Sequence, residues 1–232
     1  MARRKSQSRN NKMRYLITKL SPRSPISEQY RTVRTNLQFS SVDKELKTML
    51  VTSAGPSEGK SMTTANLAVV YAQQGKKILL VDADLRKPTV HYTFRMDNLK
   101  GLSNILVGED FLQDVVAQSD TENLDVISCG PIPPNPSELL ASKRMEQFIE
   151  DASQIYDIII FDTPPILAVA DAQIMANVCD GAILVVRSKQ TEVEAAGKAV
   201  EALQSANAKI LGTILNDRSK KEANYYYYYG KN

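Results

Sequence analysis

From Thr48 onward, short and nearly uninterrupted apolar runs alternate with stretches of helical periodicity. The runs are 48–52 (TMLVT), 77–81 (KILLV), 124–128 (LDVIS), 157–161 (DIIIF), 181–186 (GAILVV) and 208–215 (AKILGTIL), most of them rich in β-branched residues. A strand with one wet face alternates polar and apolar positions. Runs that lack the alternation suit strands covered on both sides. Between them, 61–74, 137–155, 168–177 and 191–206 read as helices. Strands and helices in turn predict an α/β domain around a mostly parallel sheet with helices on both faces. On such sheets ligands gather beyond the carboxyl ends of the strands. The segment 129–138 (CGPIPPNPSE) reads as a stiff proline-rich connection, with Ser137 as the expected N-cap of the next helix.

Composition narrows the class. A chain of 232 residues with 43% apolar content can bury one full core, so a single domain with flexible ends is expected. No apolar run approaches the ~20 residues that span a bilayer. The basic start lacks the apolar stretch of a signal peptide. Cys129, Cys179 and the single His91 lack metal-ligand spacing, which argues against structural zinc and for a reducing, cytoplasmic setting. The net charge of +3 hides an asymmetry. Arg3, Arg4, Lys5, Arg9, Lys12, Arg14, Lys19 and Arg23 fall in the first 23 residues, leaving 21 basic against 26 acidic groups in the rest. A basic arm suits anionic lipid, nonspecific contact with nucleic acid, or simple solvation equally. The expected organisation is an arm over 1–24, a domain over 25–217 with a helix near 27–40, and a tail over 218–232.

Candidate chemistry sits at the strand ends. The first strand runs into Ser53-Ala54-Gly55-Pro56-Ser57-Glu58-Gly59-Lys60-Ser61-Met62, the pattern of a phosphate-binding loop except that Ala54 stands at the usual first glycine. Small residues let backbone amides wrap phosphates, and the following helix start adds free N–H groups and a positive dipole end. Lys60 is expected on the β- and γ-phosphates, and the Ser61 hydroxyl on magnesium. The next strand ends in Asp82-Ala83-Asp84-Leu85-Arg86, and the fourth in Asp162-Thr163-Pro164-Pro165. An Asp closing an apolar strand beside a phosphate loop suits a magnesium ion or its water. Asp82 and Asp84, two apart, lean to one side in extended backbone, offering one carboxylate for metal and one for a proton. The fold class is therefore P-loop NTPase-like.

Behind this domain stand Tyr225, Tyr226, Tyr227, Tyr228 and Tyr229. A strand would send alternate rings to opposite faces, and the neighbours Lys220, Lys221, Glu222 and Asn224 offer no apolar partner. Five phenols beside a nucleotide site read as a substrate; a sticky or docking tail is the blander alternative.

SAGPSEGKS, ILLVDADLRKP, IIIFDTPP and the tyrosine tail together resemble the bacterial tyrosine kinases, from about Ser27 to the terminus. The resemblance implies Walker A, A′ and B motifs at Ala54–Ser61, Ile78–Arg86 and Ile158–Asp162. It implies ATP and Mg2+ as cofactors, with Gly55, Pro56, Ser57, Glu58, Gly59, Lys60, Ser61 and Met62 lining the phosphate loop. Ser61, Asp84 and Asp162 would organise the metal, and Asp82 would act as base. Arg86 would steady the metal loop or the transferred phosphate, and Asn216 would contact adenine. Met62 departs from the small polar residue more usual there. Glu28, Arg31 and Arg34 match the ExxRxxR element through which members form rings, and their spacing places them along one helical face. Without a fused transmembrane module, the chain is similar to the separate-subunit, Gram-positive type. That type implies a membrane adaptor whose cytosolic tail stimulates nucleotide binding, recruitment to the inner face of the cell membrane, cytosolic protein substrates, a link to capsular or extracellular polysaccharide, and no specific nucleic acid. Two rivals remain: a deviant-Walker switch ATPase, whose signature lysine position is Gly55 here, and a nucleotide-gated scaffold. Neither accounts for the tail.

Overall fold

In a computed structural model of the chain, residues 15–40 and 46–219 are described. Residues 1–14 and the tyrosines Tyr225–Tyr229 lie outside them. The strands are β1 (Thr48–Ser53), β2 (Ile78–Asp82), β3 (Ala117–Gln118), β4 (Leu124–Ile127), β5 (Ile158–Asp162), β6 (Gly181–Arg187) and β7 (Ile210–Asn216). They form one sheet in the order β3-β4-β2-β5-β1-β6-β7, parallel throughout except that β3 runs antiparallel to β4. The helices are α1 (Ile17–Leu20), α2 (Pro25–Phe39), α3 (Lys60–Ala72), α4 (Val90–Phe94), α5 (Leu102–Val107), α6 (Leu112–Val115), α7 (Pro136–Leu140), α8 (Lys143–Ser153), α9 (Asp171–Val178) and α10 (Val193–Ser205).

The period of two along each strand divides the core into two layers. Met49 and Val51 of β1 pack with Leu67, Val70 and Tyr71 of α3, while Leu50 between them joins Phe148 of α8 and Met175 of α9. Both layers are dry, which is why the central strands carry no polar alternation. Each fully buried Leu or Ile stabilises the fold by about 1.5–3 kcal/mol relative to exposure. That is ample to hold the carboxyl ends of β1, β2 and β5 in register.

Three expectations change. Residues 15–24 do not behave as an arm: α1 docks on α3, where Asn66 Oδ1 accepts both the Thr18 N–H and its hydroxyl, at 3.1 and 2.9 Å. The helix expected over 137–155 is two, α7 and α8, with Ser142 capping the second through the Met145 N–H. Ser137 is no N-cap. It lies inside α7 behind Asn135 and Pro136, and its hydroxyl points to Asp171. The short elements α4, α5, α6 and β3 went unseen in the sequence because two to six residues are too few to display a period.

Candidate active site

Strand register assembles the site. β2 and β5 pair so that Asp82 stands opposite Asp162, and β1 pairs with β5 so that Val51 stands opposite Asp162. The carboxyl ends of three adjacent strands thus carry both aspartates and the start of the phosphate loop.

The loop from Ala54 to Gly59 joins β1 to α3. The first helical bond runs from the Thr63 N–H to the Gly59 carbonyl, so the N–H groups before it have no intrahelical acceptor and gather at the positive end of the helix. Gly59 has φ +91°, the left-handed region, and a Cβ there would come within 2.0 Å of Asn216 Nδ2. Only glycine leaves that space. Asn216 donates from Nδ2 to the Glu58 carbonyl at 2.9 Å, so its amide is engaged with the loop itself.

Lys60 Nζ lies 3.3 Å from Asp84 Oδ2, Asp162 Oδ1 and Ser61 Oγ alike. Burial works against its charge, but Asp162, Asp84 and Asp82 outweigh that and hold its pKa above the usual lysine value. Asp162 is fully buried, and burial lifts its carboxyl above the usual range against the pull of Lys60. Its Oδ2 is buried with no hydrogen-bond partner among the described residues. An orphaned carboxylate oxygen beside a serine hydroxyl and a second aspartate is a fit donor set for a hard divalent cation. No group of three or more His, Cys, Asp or Glu among the described residues could hold a metal. Such an ion therefore has to complete its shell with phosphate oxygens and water, as magnesium at nucleotide sites does.

Asp82 is sealed at 0% exposure. Its Oδ1 accepts the Asp84 N–H at 3.2 Å, and its Oδ2 accepts the N–H groups of Thr89 and Val90 at 2.9 Å each. Burial, then the charge of Asp162, pushes its pKa up to about 7 despite those N–H donors. A carboxyl whose folded pKa exceeds its unfolded value of ~3.9 favours folding below that value, and the contribution is lost as pH rises through about 7. The melting temperature of the chain without nucleotide should therefore fall between pH 5 and about 7.5, and Asp82→Asn should flatten the slope. Thermal scans across that window that show equal slopes for the two proteins would count against this linkage.

Arg86 turns away from the loop. Its Nε and Nη2 donate to the two Asp171 oxygens at 2.8 and 3.0 Å, and Nη2 also reaches Ser137 Oγ at 3.0 Å. Asp171 is fully buried; burial raises its pKa, but the Arg86 and Ser137 hydrogen bonds prevail and hold it below the usual range. This clamp ties the segment after β2 to α7 and α9. Asp171 was missed in the sequence. An acid in the first turn of a helix was its only signal there, and its partner stands 85 positions away.

Glu28 and Arg31 pair with each other on α2, and Arg31 Nη2 also donates to the Pro22 carbonyl at 2.8 Å. Arg34 Nη1 donates to the Val70 carbonyl at 2.7 Å. A separate cavity of about 410 Å³, lined in part by Lys77, Asn123, Asp125 and Tyr156, opens where β2 and β4 begin, away from the phosphate loop.

Known proteins resemble the chain over most of its length. An AAA-domain family model matches residues 47–215. The tyrosine-protein kinase YwqD of Bacillus subtilis is 53% identical over 230 residues, 99% of this chain and 97% of that one. The putative tyrosine-protein kinase CapB of Staphylococcus aureus is 42% identical, across 90% of this chain and 92% of its own. The chimerical protein CapA2B2 superposes with a TM-score of 0.86 at 41% identity, covering 88% of this chain and 90% of that one. The septum site-determining protein MinD of Pyrococcus horikoshii, complexed with Mg-ADP, reaches 0.64 at 25% identity, covering 75% and 72%. MinD is the more distant of these relatives.

Proposed function

The chain belongs to the bacterial tyrosine-protein kinase family, and on that premise we propose that it transfers the terminal phosphoryl group of ATP to protein tyrosines, first to Tyr225–Tyr229 of a neighbouring copy. The observation that carries this reading is the Lys60 ammonium held 3.3 Å from Asp84, Asp162 and Ser61, at the mouth of a loop rich in free amide donors.

In the proposed reaction the tyrosine oxygen forms a bond to the γ-phosphorus, the bond from that phosphorus to the β,γ-bridging oxygen breaks, and ADP leaves. The N–H groups over 55–61 and Lys60 hold the phosphate oxygens. Ser61, Asp84 and Asp162 hold magnesium, which when bound offsets the negative charge of the phosphates. Asp82 takes the phenol proton. With its pKa near 7 against a phenol's ~10, such assistance contributes roughly 10²–10⁴-fold. Its three N–H donors leave a lone pair on Oδ1, but Asp82 is sealed from solvent, so a phenol reaches it only when the segment 83–89 moves aside. The Arg86–Asp171 clamp anchors the segment while it does so.

The tail from Arg218 to Tyr229 spans at most about 40 Å when extended, enough to enter an adjacent site. Glu28, Arg31 and Arg34 form the contact between subunits of a ring, Arg31 exchanging Glu28 for a carboxylate of the neighbour. Among the described residues no helix is long and apolar enough to cross a membrane. Recruitment to the inner face of the cell membrane by an adaptor, whose cytosolic tail promotes nucleotide binding, is part of the same reading. Other cytosolic proteins and polysaccharide synthesis or export lie downstream.

A mixing experiment tests the transfer between copies. Lys60→Met chain with an intact tail is incubated with Mg-ATP and an active chain truncated after Asp217. Phosphate on the inactive partner's tyrosines is the expected result. An unmodified tail, while the active chain phosphorylates an added tyrosine peptide, would rule out transfer between copies.

A further inference from the structure

The tip of the phosphate loop is braced in part by residues that belong to none of the sequence motifs. Ser57 has φ +64°, a left-handed conformation that serine adopts at a cost, so something must hold it. Its carbonyl accepts Arg187 Nη1 at 3.2 Å, across 130 positions of sequence. The Glu58 carbonyl is held in turn by Asn216. A trans peptide is planar, so its C=O and N–H point in opposite directions. Fixing the Ser57 carbonyl toward the end of β6 turns the Glu58 N–H the other way, and fixing the Glu58 carbonyl does the same for the Gly59 N–H. Those are the donors a phosphate loop presents.

The Glu58 side chain, 8% exposed, is a third strut. Oε2 accepts the Ala54 N–H at 3.1 Å, closing the loop on itself, and Oε1 accepts the Thr191 hydroxyl at 2.8 Å. The Thr191 oxygen accepts the Arg187 N–H at 2.7 Å, so backbone and side chain of Arg187 both feed the same brace. The guanidinium is aimed by Asp217, whose Oδ2 accepts Nε at 2.9 Å and Nη2 at 2.7 Å. A half-buried arginine with a single carboxylate partner at the surface is a weak pair. One whose remaining N–H ends on a strained loop carbonyl has a structural task.

We propose that Arg187 and Thr191 are positioning residues for nucleotide phosphates: they hold the Ser57 carbonyl and the Glu58 carboxylate outward, so that the amide donors face the polyphosphate. Neither touches the phosphates. The inference rests on reading this loop as the nucleotide-phosphate site. Losing either brace leaves the loop free to turn a peptide away from the ligand, and the affinity lost is that of one or two charge-assisted hydrogen bonds, on the order of tenfold.

The test uses the full chain and Mg-ADP. Arg187→Met, Arg187→Lys and Thr191→Val are titrated calorimetrically and unfolded thermally with and without the nucleotide. Arg187→Met and Thr191→Val should each raise Kd about tenfold, and Arg187→Lys, which keeps a donor, should recover part of the loss. Melting temperatures without nucleotide should stay within ~2 °C of wild type, while the rise induced by Mg-ADP shrinks. Unchanged Kd in both variants overturns the proposal, as does a melting temperature lowered equally with and without nucleotide. A wild-type chain that fails to bind Mg-ADP with or without an adaptor's cytosolic tail overturns the phosphate-site reading and the proposal together.

Discussion

Lys60→Met will lower phosphate incorporation into Tyr225–Tyr229 by on the order of 10²–10³-fold, the usual effect of removing one pre-placed charge donor from a transition state. The side chain is only 12% exposed and already lies among the groups that would organise magnesium, so no solvent cation replaces it. Methionine keeps the length and the packing of the stem. The substitution also removes the Lys60 charge that opposes the burial of Asp162, so that carboxyl is lifted further above its usual range. The variant should therefore lose more stability than wild type as pH rises from about 5 to 8. Phosphopeptide mass spectrometry after incubation with Mg-ATP gives the first readout, and thermal scans at the two pH values give the second. Tail phosphorylation above a tenth of the wild-type level would remove Lys60 from the chemistry.

Gly101→Ala will destabilise the chain by about 3 kcal/mol or more, the upper part of the range for overpacking a rigid interior. Its backbone φ of 178° is ordinary extended geometry, so the effect comes from space alone. A Cβ would stand 2.1 Å from the Ser128 carbonyl oxygen, 2.4 Å from the Gly130 nitrogen and 2.6 Å from the Cys129 carbonyl carbon. These are main-chain atoms of the turn after β4 and cannot rotate aside. Two hydrogen bonds knit the same contact, from the Leu102 and Ser103 N–H groups to the Ser128 and Cys129 carbonyls at 2.9 Å each. The midpoint temperature should drop by roughly 6–12 °C for a chain of this size. Denaturant melts that coincide with wild type would show that the turn yields. Because the same turn leads into α7, where Ser137 meets Asp171, kinase activity near the midpoint should fall along with stability.

The central strands were legible in the sequence because burial on both faces removes polar alternation, a signal carried by consecutive residues. The phosphate loop and the acids that close β2 and β5 were legible because spacing along the chain fixes them, to within one residue at the strand ends. Asp82 shows where that legibility stops. Its motif marked it as a base, but only the fold reveals that three N–H groups seal it. Ser137 matched the pattern of a cap, yet Asn135 and Pro136 take the helix start and free its hydroxyl for Asp171. The basic start suggested an arm, but Leu16 in the core and Thr18 bound to Asn66 dock its end.

What the sequence determined by itself is therefore local: strand and helix alternation, the phosphate loop, the acids beside it and five tyrosines at the tail. The tertiary structure decided which groups pair with which. Asp171 against Arg86, Arg187 against Ser57 and Asn66 against Thr18 join residues 48 to 130 positions apart. No local pattern encodes such pairs. Each becomes favourable only once the parallel sheet has brought two distant strand ends or helices together and excluded the water that would otherwise satisfy them.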